Sequence, residues 1–341
     1  MALVDWDGFR ARQRAAKKEG RLIGIGLANY IETATGYPHE RAEMEVLPGG
    51  RVDLVLGTQS SGQGHETTYA QVVSEWLGVP FDSVVLRTGN TDFVSAGSGS
   101  HSSRSMRLAG HLYRQTANEI IAKGKEIAAF ALEASVSDIS FTNGRFQIEG
   151  TDRALHLFDA AAAAVSGDLP DDLSGPLRSE IEIMDSLPAY PNGCHAVEVE
   201  IDRDTGVVTI LRYSGVDDVG RIINPMLVDG QCHGGIVQGV GQALGEECTY
   251  DPESGQLLAG SFMDYHMPRA DDVPFFALEN NEVPAQNTFL GVKGGGEGGT
   301  TAAPPALINA IVDALSEFGV THVEMPATPQ KIWRLIHAAD G

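Results

Sequence analysis

Glycine is concentrated in four short segments of the chain. The sequence contains 40 glycines in 341 residues, well above the roughly 7% that is usual in soluble proteins. The segments are 59–64, 95–100, 230–241 and 291–299, and each lies beside a predicted helix start. A residue without a Cβ lets the backbone approach another group closely. We therefore expect four loops whose backbone closely approaches another group.

Hydrophobic spacing predicts mixed strands and helices between these loops. Helices are predicted over about 5–19, 65–78, 107–134, 156–165, 228–246 and 328–339, with another from Pro304-Pro305 to Gly319. Strands are predicted over 21–33, 41–47, 51–59, 83–89, 180–184, 195–202 and 207–217, with a hairpin at Asn143-Gly144 and a strand-rich region up to 292. Since the order does not alternate as βαβ, the fold class is α+β.

The polar, proline-bearing stretch 166–178 is the best candidate for a boundary. It predicts two α+β subdomains with mixed sheets, over residues 1–170 and 171–341.

Charge and cysteine content exclude several classes of partner. The net charge of −22 would repel a nucleic-acid backbone or an anionic membrane surface. Three scattered cysteines, Cys194, Cys232 and Cys248, do not make a disulfide framework or a cluster-binding set. No apolar run has the length of a membrane span, and the N-terminus lacks the apolar stretch of a signal peptide. We expect a cytoplasmic protein without membrane insertion.

The segment GGGEGG at 294–299 formally matches the glycine pattern of dinucleotide-binding folds. We reject that interpretation, because Glu297 lies where a pyrophosphate would sit and too little chain follows for the rest of such a domain. Two alternatives remain. Glu297 is either an exposed residue of a flexible turn, or a general base in a closed site where desolvation raises its pKa.

The other glycine loops carry groups that suit anions or a heterocycle. SSGQGH at 60–65 places Gln63 and free amides at a helix start, although N-capping by Ser60 or Ser61 is the simpler alternative. His65 has no partner histidine four residues on, which favours a solvated or capping role over metal binding. GSHSSRS at 99–105 offers hydroxyls and a cation for a phosphate, or is merely a polar loop. DGQCHGG at 229–235 places an amide side chain at another helix start.

Taken together, these segments resemble a known family. SSGQGHETTYAQVVSEWLGVP, GNTD, SSRS, DDVGRIINPMLVDGQCHGGIVQGVGQALGEE and GVKGGGEGGTTAAPPALINAIVDAL occur in this order. They resemble the second molybdenum-cofactor-binding region of the xanthine oxidase family, over almost all of residues 20–335. The similarity is greatest to large subunits of the bacterial carbon-monoxide-dehydrogenase type, a branch that usually carries molybdopterin cytosine dinucleotide, so that cofactor or plain molybdopterin is expected.

The resemblance implies roles for individual residues. Glu297 stands at the position of the family's general base. The implied cofactor-binding residues are Gly62, Gln63, Gly64, His65, Ser103, Arg104, Ser105, Gln231, Gly294 and Gly296. In the family Ser103, Arg104 and Ser105 would line the pyrophosphate, and Gln231 would bond the pterin. The dithiolene of the pterin holds molybdenum, so no protein ligand to the metal is expected.

Family large subunits are more than twice as long as this chain, and their first cofactor-binding region has no counterpart here. The chain is therefore expected to be a split medium subunit, as in nicotinate-dehydrogenase-like enzymes, or a truncated piece. The implied function is hydroxylation of a carbon in an N-heterocycle, an aldehyde or a similar substrate, with water as the oxygen source. Expected partners are a subunit with the first half of the molybdopterin region, an Fe–S subunit with [2Fe–2S] clusters and an FAD subunit. The alternatives are a non-catalytic cofactor carrier or insertion protein, and an inactive structural subunit.

Overall fold

A computed structural model describes residues 2–338. Within that range the helices are α1 Trp6–Lys18, α2 His65–Leu77, α3 Ser105–Ala131, α4 Leu157–Val165, α5 Pro225–Leu244, α6 Gly298–Ala314 and α7 Pro329–Ala338. The strands are β1 Leu22–Ile31, β2 His39–Leu47, β3 Arg51–Leu56, β4 Val84–Arg87, β5 Ile139–Thr142, β6 Arg145–Ile148, β7 Ala154–His156, β8 Leu177–Met184, β9 Asn192–Ile201, β10 Val208–Asp218 and β11 Ala277–Asn280. The predicted α+β class with mixed sheets is confirmed.

The first sheet has the strand order β1-β9-β10-β11, with one parallel pair at β10 and β11. Alternate residues of β1 face opposite sides, as the two-residue period of a strand requires. Ile23 and Ile25 pack against α1. On the other side, a Cβ at Gly24 or Gly26 would clash with the α6 backbone. These two glycines therefore let α6 lie directly on the strand.

The second sheet has the order β4-β3-β2-β8. Even-numbered residues of β2 such as Met44 and Val46 are buried, whereas the residues between them are half-exposed. Helices α2, α3 and α4 cover the buried face and share one hydrophobic core with it. The long helix α3 contributes Leu112 and Ile120 to that core.

The third sheet is small, with the order β5-β6-β7. The predicted turn at Asn143-Gly144 joins β5 and β6, and both residues have positive φ, 49° and 72°. A two-residue hairpin turn with two positive φ angles favours this dipeptide. The phenyl ring of Phe146 then packs on α3 at Gly124, where a Cβ would clash with it.

Two strands connect the predicted subdomains. β1 pairs with β9 and shares the core of the C-terminal half, while β8 pairs with β2 and shares the core of the N-terminal half. The chain therefore passes between the two cores on both sides of the polar stretch 166–178. The boundary at residue 170 stays a prediction.

Two local expectations are wrong. The segment from Gly245 to Val292 is not rich in strands: it contains β11, and the rest of it has no named strand. Helix α6 begins at Gly298, so Pro304 and Pro305 lie inside it rather than at its start. The reason is tertiary packing, because Gly299 approaches the α5 backbone so closely that a Cβ there would meet Cys232 O and Ile236 N.

None of the helices within residues 2–338 combines the length and the apolar character that crossing a membrane requires.

Candidate functional site

The loops that precede α2, α3 and α6 and the first turns of α5 surround one cavity of about 290 Å³. Nine of the predicted site residues line it: Gln63, His65, Ser103, Arg104, Ser105, Gln231, Gly294, Gly296 and Glu297. Gly62 and Gly64 flank Gln63 without being part of the lining. Four glycine-rich segments that are distant in sequence therefore meet at one place.

The loop before α2 depends on its glycines. Gly62 and Gly64 have φ angles of 112° and 74°, in the region that favours glycine. Gly64 is the N-cap of α2 and no side chain caps the helix, so the alternative of capping by Ser60 or Ser61 is wrong. In place of a serine side chain, the carbonyl of Gly64 accepts hydrogen bonds from the amides of Thr67 and Thr68, both at 3.1 Å.

His65 is buried, not solvated as expected. Its ring stacks on Tyr69 with 5.2 Å between centroids. Burial lowers the pKa of His65, so the ring is neutral at pH 7. Its Nδ1 atom is buried and makes no hydrogen bond with the part of the chain that the structure describes.

The loop before α3 has an unusual backbone. Ser102 and Ser103 both have a φ of 50°, a region that residues with a side chain rarely adopt. In this conformation Ser103 Oγ donates a hydrogen bond of 3.1 Å to Glu32 Oε2. Ser105 Oγ bonds to Ser100 Oγ at 3.0 Å. The hydroxyls of this loop thus lie on the cavity wall in fixed positions.

Arg104 anchors this loop to β2. Its side chain and that of Glu40 are both 0% exposed and form an ion pair of 2.8 Å. The guanidinium also donates to the carbonyls of Tyr37, His39 and Gly99 at 3.0–3.1 Å. These donors are therefore used inside the fold. The expected contact of Arg104 with a pyrophosphate stays a prediction.

The glycine loop before α6 keeps the cavity open. A Cβ at Gly294 would clash with Ser103. At Gly296 a Cβ would lie in the cavity, 3.8 Å from Ser103 Oγ and 4.0 Å from Gln231 Nε2. Gln231 lies in the second turn of α5, because that helix starts three residues earlier than expected, at Pro225. Side chains at 294 and 296 would thus fill the space between α3 and α5.

Glu297 is the N-cap of α6 and lines the cavity, but it is exposed. The flanking glycines carry no side chains that could cover it. Of the two alternatives for Glu297, residues 2–338 on their own form the exposed turn, and its role as a general base stays a prediction.

The sequence did not reveal Glu32, which follows β1. Burial raises the pKa of Glu32 to about 7, and the Glu297 carboxylate raises it by its charge and by hydrogen bonding. The hydrogen bond from Ser103 and the charge of Arg107 act in the opposite direction. A lone glutamate at a strand end has no local motif. The one available signal is that Glu32 lies two residues after Tyr30, so an extended chain would place both side chains on the same side.

A buried polar network below the loop was also missed. Asp217 Oδ1 accepts hydrogen bonds from Tyr30 Oη at 2.7 Å and His195 Nε2 at 2.9 Å. His195 Nδ1 lies 2.8 Å from Tyr213 Oη. Polar residues at inward positions of β9 and β10 are the sequence signal for such a network.

Comparison with known proteins identifies the domain. The chain matches the family described as molybdopterin cofactor-binding domain over residues 1–274. The chain belongs to this family. The predicted resemblance to the molybdenum-binding subunits of the xanthine oxidase family is thereby confirmed.

Three relatives illustrate the similarity. The chain is 37% identical over 347 residues to the nicotine 6-hydroxylase large subunit of Paenarthrobacter nicotinovorans, covering 97% of this chain and 42% of the relative. It is 33% identical over 352 residues to the carbon monoxide dehydrogenase large chain of Afipia carboxidovorans, covering 98% and 43%. The crystal structure of quinoline 2-oxidoreductase from Pseudomonas putida 86 superposes with a TM-score of 0.89 at 33% identity, covering 98% and 44%. This molybdopterin-binding domain spans less than half the length of these relatives.

Proposed function

We propose that this chain forms half of the molybdopterin site of a multi-subunit molybdenum hydroxylase. The substrate is an N-heterocycle, an aldehyde or a similar small molecule, and water supplies the oxygen. The observation that carries the proposal is the single cavity where Gln63, Ser103, Gln231 and Glu297 meet from four separate loops. Relatives with this domain bear the names of hydroxylases and dehydrogenases.

The lining residues fit a pterin with an attached phosphate group. Gln63 and Gln231 bring amides, which donate and accept hydrogen bonds as the edge of a pterin ring requires. The open face of Gly296 leaves room for a flat ring beside Gln231. The Ser103 and Ser105 hydroxyls line the cavity, and hydroxyls of this kind can bond to phosphate oxygens. The dinucleotide form of the cofactor is proposed from the family resemblance. When bound, the cofactor supplies the oxygen-transfer and two-electron chemistry.

Glu297 is the proton acceptor of this proposal. Its carboxylate lies at the cavity, and no neighbouring side chain of its own loop separates it from a reacting group. A general base needs this direct reach to the proton that it removes. The carboxylate takes up a proton as the oxygen nucleophile attacks the substrate carbon, and gives it back to solvent afterwards.

The remaining components come from partner chains. Phe262, Met263 and Phe275 are 87%, 93% and 91% exposed, and we propose that they dock on the subunit with the first half of the molybdopterin region. Electrons then leave through an Fe–S subunit with [2Fe–2S] clusters and an FAD subunit. Three separate free cysteines do not supply the ligands of such clusters. We place the assembly in the cytoplasm.

The test is Glu297→Gln in the assembled complex. The change is nearly isosteric and removes the base, so kcat should fall by a factor of about 10² or more. Molybdenum and nucleotide contents should equal those of the wild type. Glu75→Gln, an exposed residue of α2 outside the cavity lining, is the matched control and should leave both unchanged.

Two results contradict the proposal. If Glu297→Gln kept more than about a tenth of the wild-type kcat, the base role would be wrong, since the loss would be under about 1.4 kcal/mol. If activity vanished together with the cofactor, Glu297 would be structural, and a carrier or structural subunit would be the better interpretation.

A further inference from the structure

The end of β1 approaches the Glu297 loop from the α6 side of the first sheet. Gly24 and Gly26 face α6, and Tyr30 has the same parity along the strand. Tyr30 Oη occupies the space where a Cβ of Gly298 would lie. Glu32, two residues further, is fixed by the hydrogen bond from its backbone N to Pro191 O at 2.9 Å. A Cβ at Gly296, next to Glu297, would lie 3.8 Å from Ser103 Oγ, and this hydroxyl donates to Glu32 Oε2 at 3.1 Å. The Glu297 carboxylate also acts on Glu32 by its charge and by hydrogen bonding, so the two carboxyls lie close together beside Ser103.

The two oxygens of Glu32 differ in their surroundings. Oε2 accepts the 3.1 Å hydrogen bond from Ser103 Oγ. Oε1 is buried and has no hydrogen-bond partner among residues 2–338. Two ionised carboxylates cannot bond to each other, because both only accept. A proton on Oε1 would give this atom the donor role that it lacks.

The nearby cation lowers the pKa of Glu32 by its charge but forms no ion pair with it among the described residues. Arg107 of α3 faces it, but its guanidinium donates to the carbonyls of Ser186, Leu187 and Thr35 instead. The groups that face Glu32 are Glu297 from the α6 loop, Arg107 from α3, and the Tyr30 hydroxyl at the end of β1. A buried carboxyl beside a second carboxylate is the one that keeps the proton.

We propose that Glu32 is the positioning residue of the Glu297 base: its protonated Oε1 donates a hydrogen bond to the Glu297 carboxylate and orients it toward the cavity. This inference rests on the function proposed above for Glu297. The pair then holds one proton and one negative charge in the active state. Glu297 is the ionised member, because it is exposed whereas Glu32 is half-buried.

The proposal has a consequence for pH dependence. Burial and the neighbouring Glu297 carboxylate raise the pKa of Glu32 to about 7. As the pH rises through that value, Glu32 loses its proton and the hydrogen bond becomes a repulsion between two anions. The Glu297 carboxylate is then no longer held, so kcat should fall on the alkaline side.

Infrared difference spectroscopy of the assembled complex tests the pair without relying on turnover. The carbonyl band of a protonated carboxyl should disappear near pH 7 in the wild type and be missing in Glu32→Gln. In Glu297→Gln the same band should disappear at a lower pH, because the neighbouring negative charge is gone. Glu75→Gln should match the wild type. The proposal is overturned if no such band exists. It is also overturned if the band disappears at the same pH in Glu297→Gln as in the wild type.

The pH profile of kcat gives the second measurement. Glu32→Gln keeps a neutral donor at this position, so the alkaline fall near pH 7 should vanish, whereas Glu32→Asp should retain a titrating step. Ser103→Ala should move the step to higher pH, because the lost hydrogen bond stabilises ionised Glu32. An unchanged profile in Glu32→Gln contradicts the positioning role. If Glu32→Gln does not fold, the proposal is tested by the other two variants: by the pH profile of kcat in Ser103→Ala and by the pH at which the carbonyl band disappears in Glu297→Gln.

The two proposals fail in distinguishable ways. If Glu297→Gln stays active while its Glu32 band shifts, the carboxyl pair exists and the base role is wrong. If Glu297→Gln is inactive while Glu32→Gln and Ser103→Ala keep the wild-type profile, the base role stands and Glu32 has no part in it.

Discussion

The Tyr30 hydroxyl fills the space that a Cβ atom on Gly298 would need. The same hydroxyl donates a 2.7 Å hydrogen bond to Asp217 Oδ1, which also bonds to His195 Nε2 at 2.9 Å. Since Asp217 and His195 are buried, the phenol ring cannot move aside without breaking this network. The residue after Glu297 therefore has to be glycine.

Gly298→Ala should displace the Glu297 loop. Forcing a methyl group against a packed hydroxyl costs about 1–3 kcal/mol, so both the free energy of unfolding and kcat should fall. Adding Tyr30→Phe removes the clashing oxygen and should restore part of both values. Gly49→Ala, where a Cβ meets nothing within 4 Å, is the control. A double variant no better than Gly298→Ala alone would show that the hydroxyl is not the obstacle.

Sequence reasoning found the cavity loops because each has a local cause. Gly62 and Gly64 adopt positive φ, and Gly294 avoids a clash with Ser103. The structural requirement is therefore visible as glycine at these positions of the sequence. The convergence of these loops on one cavity followed from the family resemblance rather than from any one motif.

Glu32 and Tyr30 were missed for the opposite reason. The alternation along β1 shows which residues share a face, but their partners Glu297 and Asp217 lie far away in sequence. The position of Pro304 and Pro305 inside α6 was missed likewise, because packing against α5 decides where that helix begins. Long-range contacts of this kind leave no local pattern to read.

Arg104→Met should destabilise the fold. Its ion pair with Glu40 is completely buried, and removal of one partner leaves the other charge without compensation, at a cost of about 3–5 kcal/mol. Denaturant unfolding of the complex or of the refolded chain measures this loss. Arg221→Gln is the matched control, since Arg221 is exposed at the cavity, and its stability should be close to wild type. Equal stabilities for the two variants would refute the anchoring role of Arg104.

Glu32 should make stability depend on pH. Its pKa in the folded state is about 7, above the usual value of 4.5, so the folded state binds the proton more tightly than the unfolded state. The resulting stabilisation is complete below about pH 4.5 and is lost as the pH rises through 7. Solvent reaches part of this carboxyl and screens it, which limits the effect to about 1–2 kcal/mol.

Glu32→Gln should abolish this contribution. The variant should therefore gain stability relative to the wild type between pH 5 and 8, as measured by urea unfolding at several pH values. Glu75→Gln should follow the wild-type curve. A difference between Glu32→Gln and the wild type that does not vary with pH would mean that Glu32 does not change its protonation on unfolding in this range.

The exposed apolar side chains between β10 and α6 should govern assembly. Phe262, Met263 and Phe275 are almost fully exposed, and large apolar side chains grouped on one surface segment are typical of protein contacts. Permanent complexes bury roughly 2,000 Å² or more, so the chain expressed alone should self-associate in sedimentation experiments.

Replacing the three residues by Ser, Gln and Ser should reduce this self-association and, with the other subunits present, lower the yield of assembled complex. Tyr250→Ser changes another exposed position in the same segment. It tests whether the loss of any exposed large side chain there has the same effect on self-association and assembly. A wild-type chain that stays monomeric and loaded with molybdenum on its own would contradict the docking role, because such a chain would need no partner subunit to cover this surface or to complete its cofactor site.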